Sequence, residues 1–377
     1  VLIFEEKTEA FTVSIGISSD EKYYFITSSD HNTSEQYYFS VNEEKPTPKL
    51  IQKREKGIIY SVNSWDGSFY MHTNKNAEDF KIEKTNNINK KKWEIFIPAK
   101  DETLIGGLTF LEKWILRSEI SNALGKIFVR NLETNQEEEL IFSDEEVYDG
   151  GVSLAQKDRS TDIIYISYST PKTQNRVYSY NLQTKEKKLV KEQIIPSGHN
   201  PDDYIVERFD CDSHDGRKVP ITITRHKKTN IDGNANLLLY GYGSYGNSMS
   251  PSFSSTRLSL VNRDIIWVTA HIRGGLERGM KWWKEGKLLN KKNTFEDYIA
   301  VAKFLIEKKY TSNGKIIGMG GSAGGLLMGV VVNQAPKLFL GIIMAVPFVD
   351  SLTTNLDHSL PLTVGEFEEF GNAKKNK

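Results

Sequence analysis

The sequence has one cysteine, Cys211, in 377 residues, which excludes an internal disulfide and leads us to expect a reducing, cytoplasmic compartment. Net charge is missing too. Lys+Arg 49 balance Asp+Glu 49, so no electrostatic footprint points to nucleic acid or to an anionic membrane surface. No apolar run approaches the ~18 residues of a membrane-spanning helix, so no membrane partner is expected. The start, Val1-Leu2-Ile3-Phe4-Glu5-Glu6, has no basic region and no cleavage site, which argues against a secretory signal. It also has no initiator Met and begins as if inside a strand, so the chain is expected to be cut at this end. His31, His72 and the scattered Asp and Glu of the first half have no ligand spacing, and neither a metal nor an organic cofactor is implied. Cys211 lies in an alternating, strand-like stretch and is a poor candidate for a nucleophile.

What is present is a globular composition, 38% hydrophobic and 26% charged, in a chain long enough for two domains. Residues 1–195 are rich in Tyr, Phe, Ile, Thr and Ser in short alternating runs broken by Asn, Asp and Gly, the texture of strands and turns. Strand groups recur, and Phe39, Phe80, Phe128 and Tyr178, read as their outer members, return at the ~40–50-residue period of four-stranded propeller blades. About four blades are predicted. A closed four-bladed ring and an unrelated all-β sandwich fit the same runs.

Pro196-Ser197-Gly198-His199-Asn200-Pro201 reads as a linker. A β-hairpin turned at His214-Asp215-Gly216 follows it. From about 236 the pattern becomes strand, loop, helix, strand. Asn236–Tyr240 and Ile265–Ala270 are continuous apolar strands, and Thr294 with Asp297 approximates a capping box on a helix from Thr294 through Lys309 striped by Phe295, Ile299, Ala302, Leu305 and Ile306. Such alternation predicts a mostly parallel sheet over residues 196–377, covered by helices. In such sheets ligands sit beyond the carboxyl ends of the strands, where Tyr242, His271, Arg273 and Ser322 fall. His271 and Arg273 fit either a structural or a pocket-lining role.

The chemistry concentrates at Gly320-Gly321-Ser322-Ala323-Gly324-Gly325. An apolar run leads in over 315–319 and a longer one leads out over 326–332, so this G-x-S-x-G is predicted to be a strand-to-helix elbow with Ser322 at its tip. The backbone N–H of Ala323, at the start of the helix, is placed to face a developing oxyanion. A glycine-rich helix entry with no chemistry is the alternative reading of the same residues.

SHDG at 213–216, LLLYGYGSYG at 237–246, HIRGG at 271–275, KKNTFEDY at 291–298, GGSAGG at 320–325 and PLTVGEFEEFGN at 361–372 together resemble the oligopeptidase B branch of the prolyl oligopeptidase family of serine peptidases. The resemblance implies a partial β-propeller over 1–195, the later part of a larger one, followed by an α/β-hydrolase catalytic domain over 196–377 that lacks its C-terminal part. It implies Ser322 as nucleophile and the Tyr242 hydroxyl as partner of the Ala323 N–H in the oxyanion hole. It further implies Glu366 and Glu368 as the pair that selects Arg or Lys before the cleaved bond, with short basic peptides as substrates. Two carboxylates two residues apart in an extended segment would share one face, with Phe367 anchoring the other; a solvated acidic loop is the bland reading of GEFEE.

Two departures stand out. Ser250 and Ser252 occupy positions where the branch carries acidic residues for a second basic side chain. The family's triad Asp and His follow its GEFEE segment, and nothing after Lys377 is present to supply them. The resemblance therefore implies either an enzyme of which this is a fragment, expected to be inactive alone, or a decayed product that at most binds basic peptides. A different acyl hydrolase on the same fold is a weaker alternative. Asp350, Asp357 and His358 do not match the family's Asp and His.

Overall fold

In a computed structural model of the chain, residues 2–90, 92–141, 143–154 and 158–375 are described; the first residue and the last two lie outside the described residues. Four antiparallel sheets of four strands span 12–52, 60–97, 103–139 and 149–192, and in each the strands pair in chain order. These are the expected four blades of a β-propeller. Phe39, Phe128 and Tyr178 lie in the third strand of their blades and Phe80 directly precedes one, so they are not the outer members. The outermost strands, such as Glu137–Glu139 and Lys187–Glu192, went unread because they are short and charged, as exposed sheet edges tend to be. The innermost strands Thr103–Phe110 and Asp149–Ser153 went unread because each carries a Gly-Gly pair, which lowers strand propensity.

Beyond the linker lies one six-stranded sheet. Its strands are β1 (Tyr204–Asp212), β2 (Lys218–His226), β3 (Leu237–Tyr240), β4 (Ile266–Ala270), β5 (Ile316–Gly321) and β6 (Phe339–Ala345), in the order β1-β2-β4-β3-β5-β6. β1 and β2 form the expected hairpin, with Tyr204 opposite His226 and Asp212 opposite Lys218. β2 pairs antiparallel with β4, and β4, β3, β5 and β6 run parallel. The helices are α1 (Ser255–Val261), α2 (Gly279–Lys284), α3 (Lys292–Glu307), α4 (Ala323–Gln334), α5 (Ser351–Leu356) and α6 (Thr363–Phe370). Ile221 and Ile223 of β2, Leu237 and Leu239 of β3 and Val268 of β4 are fully buried against Val301 and Leu305 of α3 and Leu327 and Met328 of α4. Burial on both faces explains why these strands read as continuous apolar runs.

The helix α3 buries the predicted stripe but does not begin with the predicted capping box. It starts at Lys292, and Thr294 donates instead to the carbonyl oxygen of Arg273 at 2.8 Å. Asp297 accepts from Arg273 Nε at 2.9 Å and Nη2 at 2.6 Å. A buried guanidinium without a carboxylate costs more than an uncapped helix N–H, so Asp297 serves the arginine. The two halves of the molecule meet through α2, whose Met280 and Trp283 pack with Phe80, Ile105 and Phe110 of the propeller.

Candidate active site

The parallel strands β3, β4 and β5 deliver their carboxyl ends to one edge of the sheet, and Ser322 stands where β5 passes into α4. Its backbone adopts φ 54° and ψ −117°, a left-handed conformation that non-glycine residues occupy only under constraint. The constraint is visible. The Ser322 N–H donates to Ala345 O at 2.8 Å, and the Ser322 carbonyl accepts from Gly325 N–H at 2.8 Å and Phe348 N–H at 2.9 Å. Gly320 and Gly324 are required by close approach: a Cβ at 320 would stand 2.3 Å from Gly324 O, and one at 324 would stand 2.9 Å from Gly241 O. The result is an exposed serine on a rigid turn, followed by buried Ala323 at the first position of α4. There its N–H is one of the helix donors with no intrahelical acceptor.

Tyr242, in the loop after β3, lies against this turn. Its Cα and Cδ2 are 3.5 and 3.4 Å from where a Gly324 Cβ would be. Burial raises the pKa of its phenol, and hydrogen bonding to Asn247 and Ser322 opposes that rise. The ring of Tyr245, in the same loop, is 6.3 Å from that of Tyr242. Its hydroxyl donates to Glu366 Oε2 at 2.6 Å. Burial first, and the adjacent Glu366 second, push the Tyr245 phenol well above its ordinary pKa. Tyr242 and Tyr245 thus connect the elbow to the acidic segment.

That segment is not extended. Thr363–Phe370 is a helix, in which positions two apart point about 200° away from one another, so Glu366 and Glu368 do not share a face. Glu366 meets Tyr245, while Glu368 accepts from Asn32 Nδ2 of the first blade at 2.7 Å. The buried carboxylate of the segment is Glu369, which no sequence signal distinguishes from its neighbours. It accepts from Trp283 Nε1 at 2.8 Å and pairs with Lys291 Nζ at 3.1 Å. Burial lowers the Lys291 pKa, and Glu369 counteracts that. Phe367 is only half-buried, its ring 4.9 Å from that of His358, and is not the expected anchor. Glu369 is drawn inward to Lys291, whose ammonium also donates to Gly243 O at 2.7 Å and to Ser244 Oγ.

His271 and Arg273 are structural. Arg273 joins Asp297 of α3 to Asp215 in the β1–β2 turn, which ties the hairpin to the helix layer. Burial drives the His271 pKa down to about 3, so the ring is neutral, and its Nε2 pairs with Thr222 Oγ1 at 2.9 Å. Asp350 caps α5 through the Thr353 N–H at 3.2 Å, and Asp357 accepts from Ser359. Among the described residues no histidine makes a hydrogen bond to Ser322. Burial also pushes the Cys211 thiol up to about 12, in keeping with an inert cysteine. Among the described residues no helix is long and apolar enough to cross a membrane.

Comparison with known proteins matches residues 1–193 to the prolyl oligopeptidase N-terminal β-propeller domain and residues 251–377 to the prolyl oligopeptidase family. Dipeptidyl aminopeptidase BI of Pseudoxanthomonas mexicana is 35% identical over 99% of this chain and 52% of its own length. Protease 2 of Moraxella lacunata is 36% identical over 100% of this chain and 54% of its own. The solved structure of Trypanosoma brucei oligopeptidase B with covalently bound antipain superposes with a TM-score of 0.92 at 33% identity, covering 98% of this chain and 54% of that one. Leishmania major oligopeptidase B gives 0.91 at 30% identity, with 98% and 53% covered. The chain therefore spans about half the length of the relatives it matches. Blades, sheet order, elbow and both family matches agree, and the chain belongs to the prolyl oligopeptidase family of serine peptidases.

Proposed function

We propose that this chain carries the nucleophile, the oxyanion hole and the basic-residue pocket of a serine oligopeptidase that cleaves short peptides after Arg or Lys. The observation that supports it most is the constrained, exposed Ser322 with the Tyr242 hydroxyl and the Ala323 N–H beside it. In the proposed reaction Ser322 Oγ attacks the carbonyl carbon and its proton passes to a base. Tyr242 and Ala323 hold the oxyanion; the C–N bond then breaks as the base returns the proton to the leaving amine, and water hydrolyses the acyl ester to free Ser322. Glu366 and Glu368 draw the cationic side chain by charge-assisted hydrogen bonds, approached from different sides and not from one face. We further propose that the propeller gives way to the hydrolase near residue 195 and that the protein is cytoplasmic.

The hydrogen-bonding of the histidines favours a second reading. With none on Ser322, the chain alone is proposed to lose about 10⁶ in kcat relative to a complete triad and to act chiefly as a binder of basic peptides. Hydrolysis of acetylated Arg, Lys and Pro amides, with Ser322→Ala as control, tests both readings. Cleavage after Arg and Lys that disappears in the variant supports the peptidase. Rates equal to the control's reduce the chain to the binding reading, and cleavage after Pro but not Arg overturns the specificity.

A further inference from the structure

Lys291 stands one residue before α3 and is buried. Its ammonium has three N–H donors, and three acceptors surround it. Two lie on the loop that follows Tyr242: Gly243 O at 2.7 Å and Ser244 Oγ. The third is Glu369 Oε1 of α6 at 3.1 Å. No donor remains for a ligand, so Lys291 touches neither substrate nor reacting atoms in the proposed reaction. Its main chain is fixed as well, donating to Leu288 O at 3.1 Å and accepting from the Thr294 N–H at 3.1 Å. The loop depends on this ammonium. Among the described residues no other group donates to Gly243 O or to Ser244 Oγ. Ser244 is fully buried, and Gly243 sits at φ 69°, where a Cβ would stand 2.9 Å from Arg273 O. Without Lys291 both acceptors would be left unsatisfied, at a cost for each.

A counter-ion for Glu369 would need one contact. The other two fall on the residues directly after Tyr242. A second tie runs beside them, from the Tyr245 hydroxyl to Glu366 at 2.6 Å, and Phe370 packs between the two, its ring 5.9 Å from that of Tyr245 and 5.3 Å from Lys291 Nζ. We infer that Lys291 is a positioning residue that bolts the Tyr242 loop to α6, so that the oxyanion donor and the acidic helix keep one fixed spacing. The inference rests on the reading of Tyr242 as an oxyanion donor and of α6 as the basic-residue pocket. A substrate residue whose carbonyl meets Tyr242 and whose cation meets α6 needs that spacing held within about 0.5 Å. Lys291, set at the head of a buried helix, supplies the rigid point from which both are held.

Hydrogen exchange of the free chain, followed by mass spectrometry, tests the bolt without relying on the chemistry of Ser322. The loop is reported by the Gly246 N–H, bonded to Gly274 O at 2.9 Å, and the Asn247 N–H, bonded to Ser244 O at 3.0 Å. The Gly371 N–H, bonded to Phe367 O at 3.0 Å, reports α6. Glu369→Gln leaves Lys291 on the loop and is expected to speed exchange in α6 alone. Adding Lys291→Met leaves neither partner charged and is expected to speed exchange of the loop amides at least about tenfold over Glu369→Gln. A mere counter-ion would leave the loop unmoved by that second change, so equal loop exchange in the two variants overturns the inference. Should the double variant fail to fold by circular dichroism, Ser244→Ala takes its place, with several-fold faster loop exchange expected and unchanged exchange overturning the bolt. A peptide norleucinal, which carries no cation, then reads the oxyanion donor. Its affinity is expected to be several-fold weaker in the double variant than in Glu369→Gln, and equal affinity overturns the positioning role. Failure of the norleucinal to bind the parent chain would count against the proposed function, a result distinct from the loop exchange that decides the bolt.

Discussion

The elbow at Ser322 and the acidic helix α6 are two ends of one candidate site, and they are held in opposite ways. The elbow is fixed largely by its own flanks and the next strand: Gly320, Gly324 and Gly325 on either side, and Ala345, Pro347 and Phe348 after β6, with Gly241 O as its remote contact. α6 is fixed by groups 78, 86, 121 and 336 residues away: Lys291, Trp283, Tyr245 and Asn32. A motif that carries its own geometry keeps it wherever the strand and helix form. A segment whose carboxylates answer to remote partners takes its conformation from them.

The largest effect is expected where a remote partner is removed. Glu369→Ala leaves Lys291 charged and buried, and is expected to cost about 3–5 kcal/mol in urea unfolding. A loss below about 1 kcal/mol would show that α6 is not anchored through this pair. Gly325→Ala attacks the local end, since a Cβ there would stand 2.4 Å from Pro347 Cβ. It is expected to cost about 1–3 kcal/mol in the same measurement. Full tolerance would mean that the turn is softer than its contacts imply.

The loop shared by both ends carries Tyr242, Tyr245 and Met249. Glu277 accepts the Met249 N–H at 3.0 Å, and its other oxygen is buried with no hydrogen-bond partner among the described residues. Burial raises its carboxyl from 4.5 to about 7. The folded chain therefore holds a proton that the unfolded chain has released, and stability falls as pH rises from about 4.5 to about 7. Thermal midpoints across that window should show the fall, and Glu277→Gln should flatten it; an identical slope in the variant would remove Glu277 as its cause. Asn32→Ala should have the smallest effect, about 1 kcal/mol, through the loss of its bond to Glu368. It should weaken basic-peptide binding while leaving Ser322 in place. An equal effect on both ends would break the contrast between them.

The same contrast explains what was legible in the sequence. Blades, parallel sheet and elbow were readable because alternation, apolar runs and glycine spacing are local signals. The helix at 363–370 was not, because the partner that turns Glu369 inward, Lys291, lies 78 residues away and nothing local in the segment points to it. Thr294 and Asp297 looked like a cap because the buried Arg273 that claims Asp297 comes from another loop. Nothing in the spacing of YGYGSYG marks Tyr245 as a partner of the acidic segment. Its φ of 57°, unusual for an aromatic residue, and its bond to Glu366 appear only in three dimensions.

The central claim is that Ser322, its oxyanion donors and α6 form one site for a basic residue. Affinity for a peptide argininal tests it directly, because the aldehyde forms a hemiacetal with the serine, needs the oxyanion donors and offers a guanidinium to the acidic helix. The argininal is expected to bind more tightly than the matching norleucinal and prolinal, and to lose that advantage in both Ser322→Ala and Glu366→Gln. Equal affinity for the three aldehydes, or an argininal affinity untouched by Ser322→Ala, would contradict it.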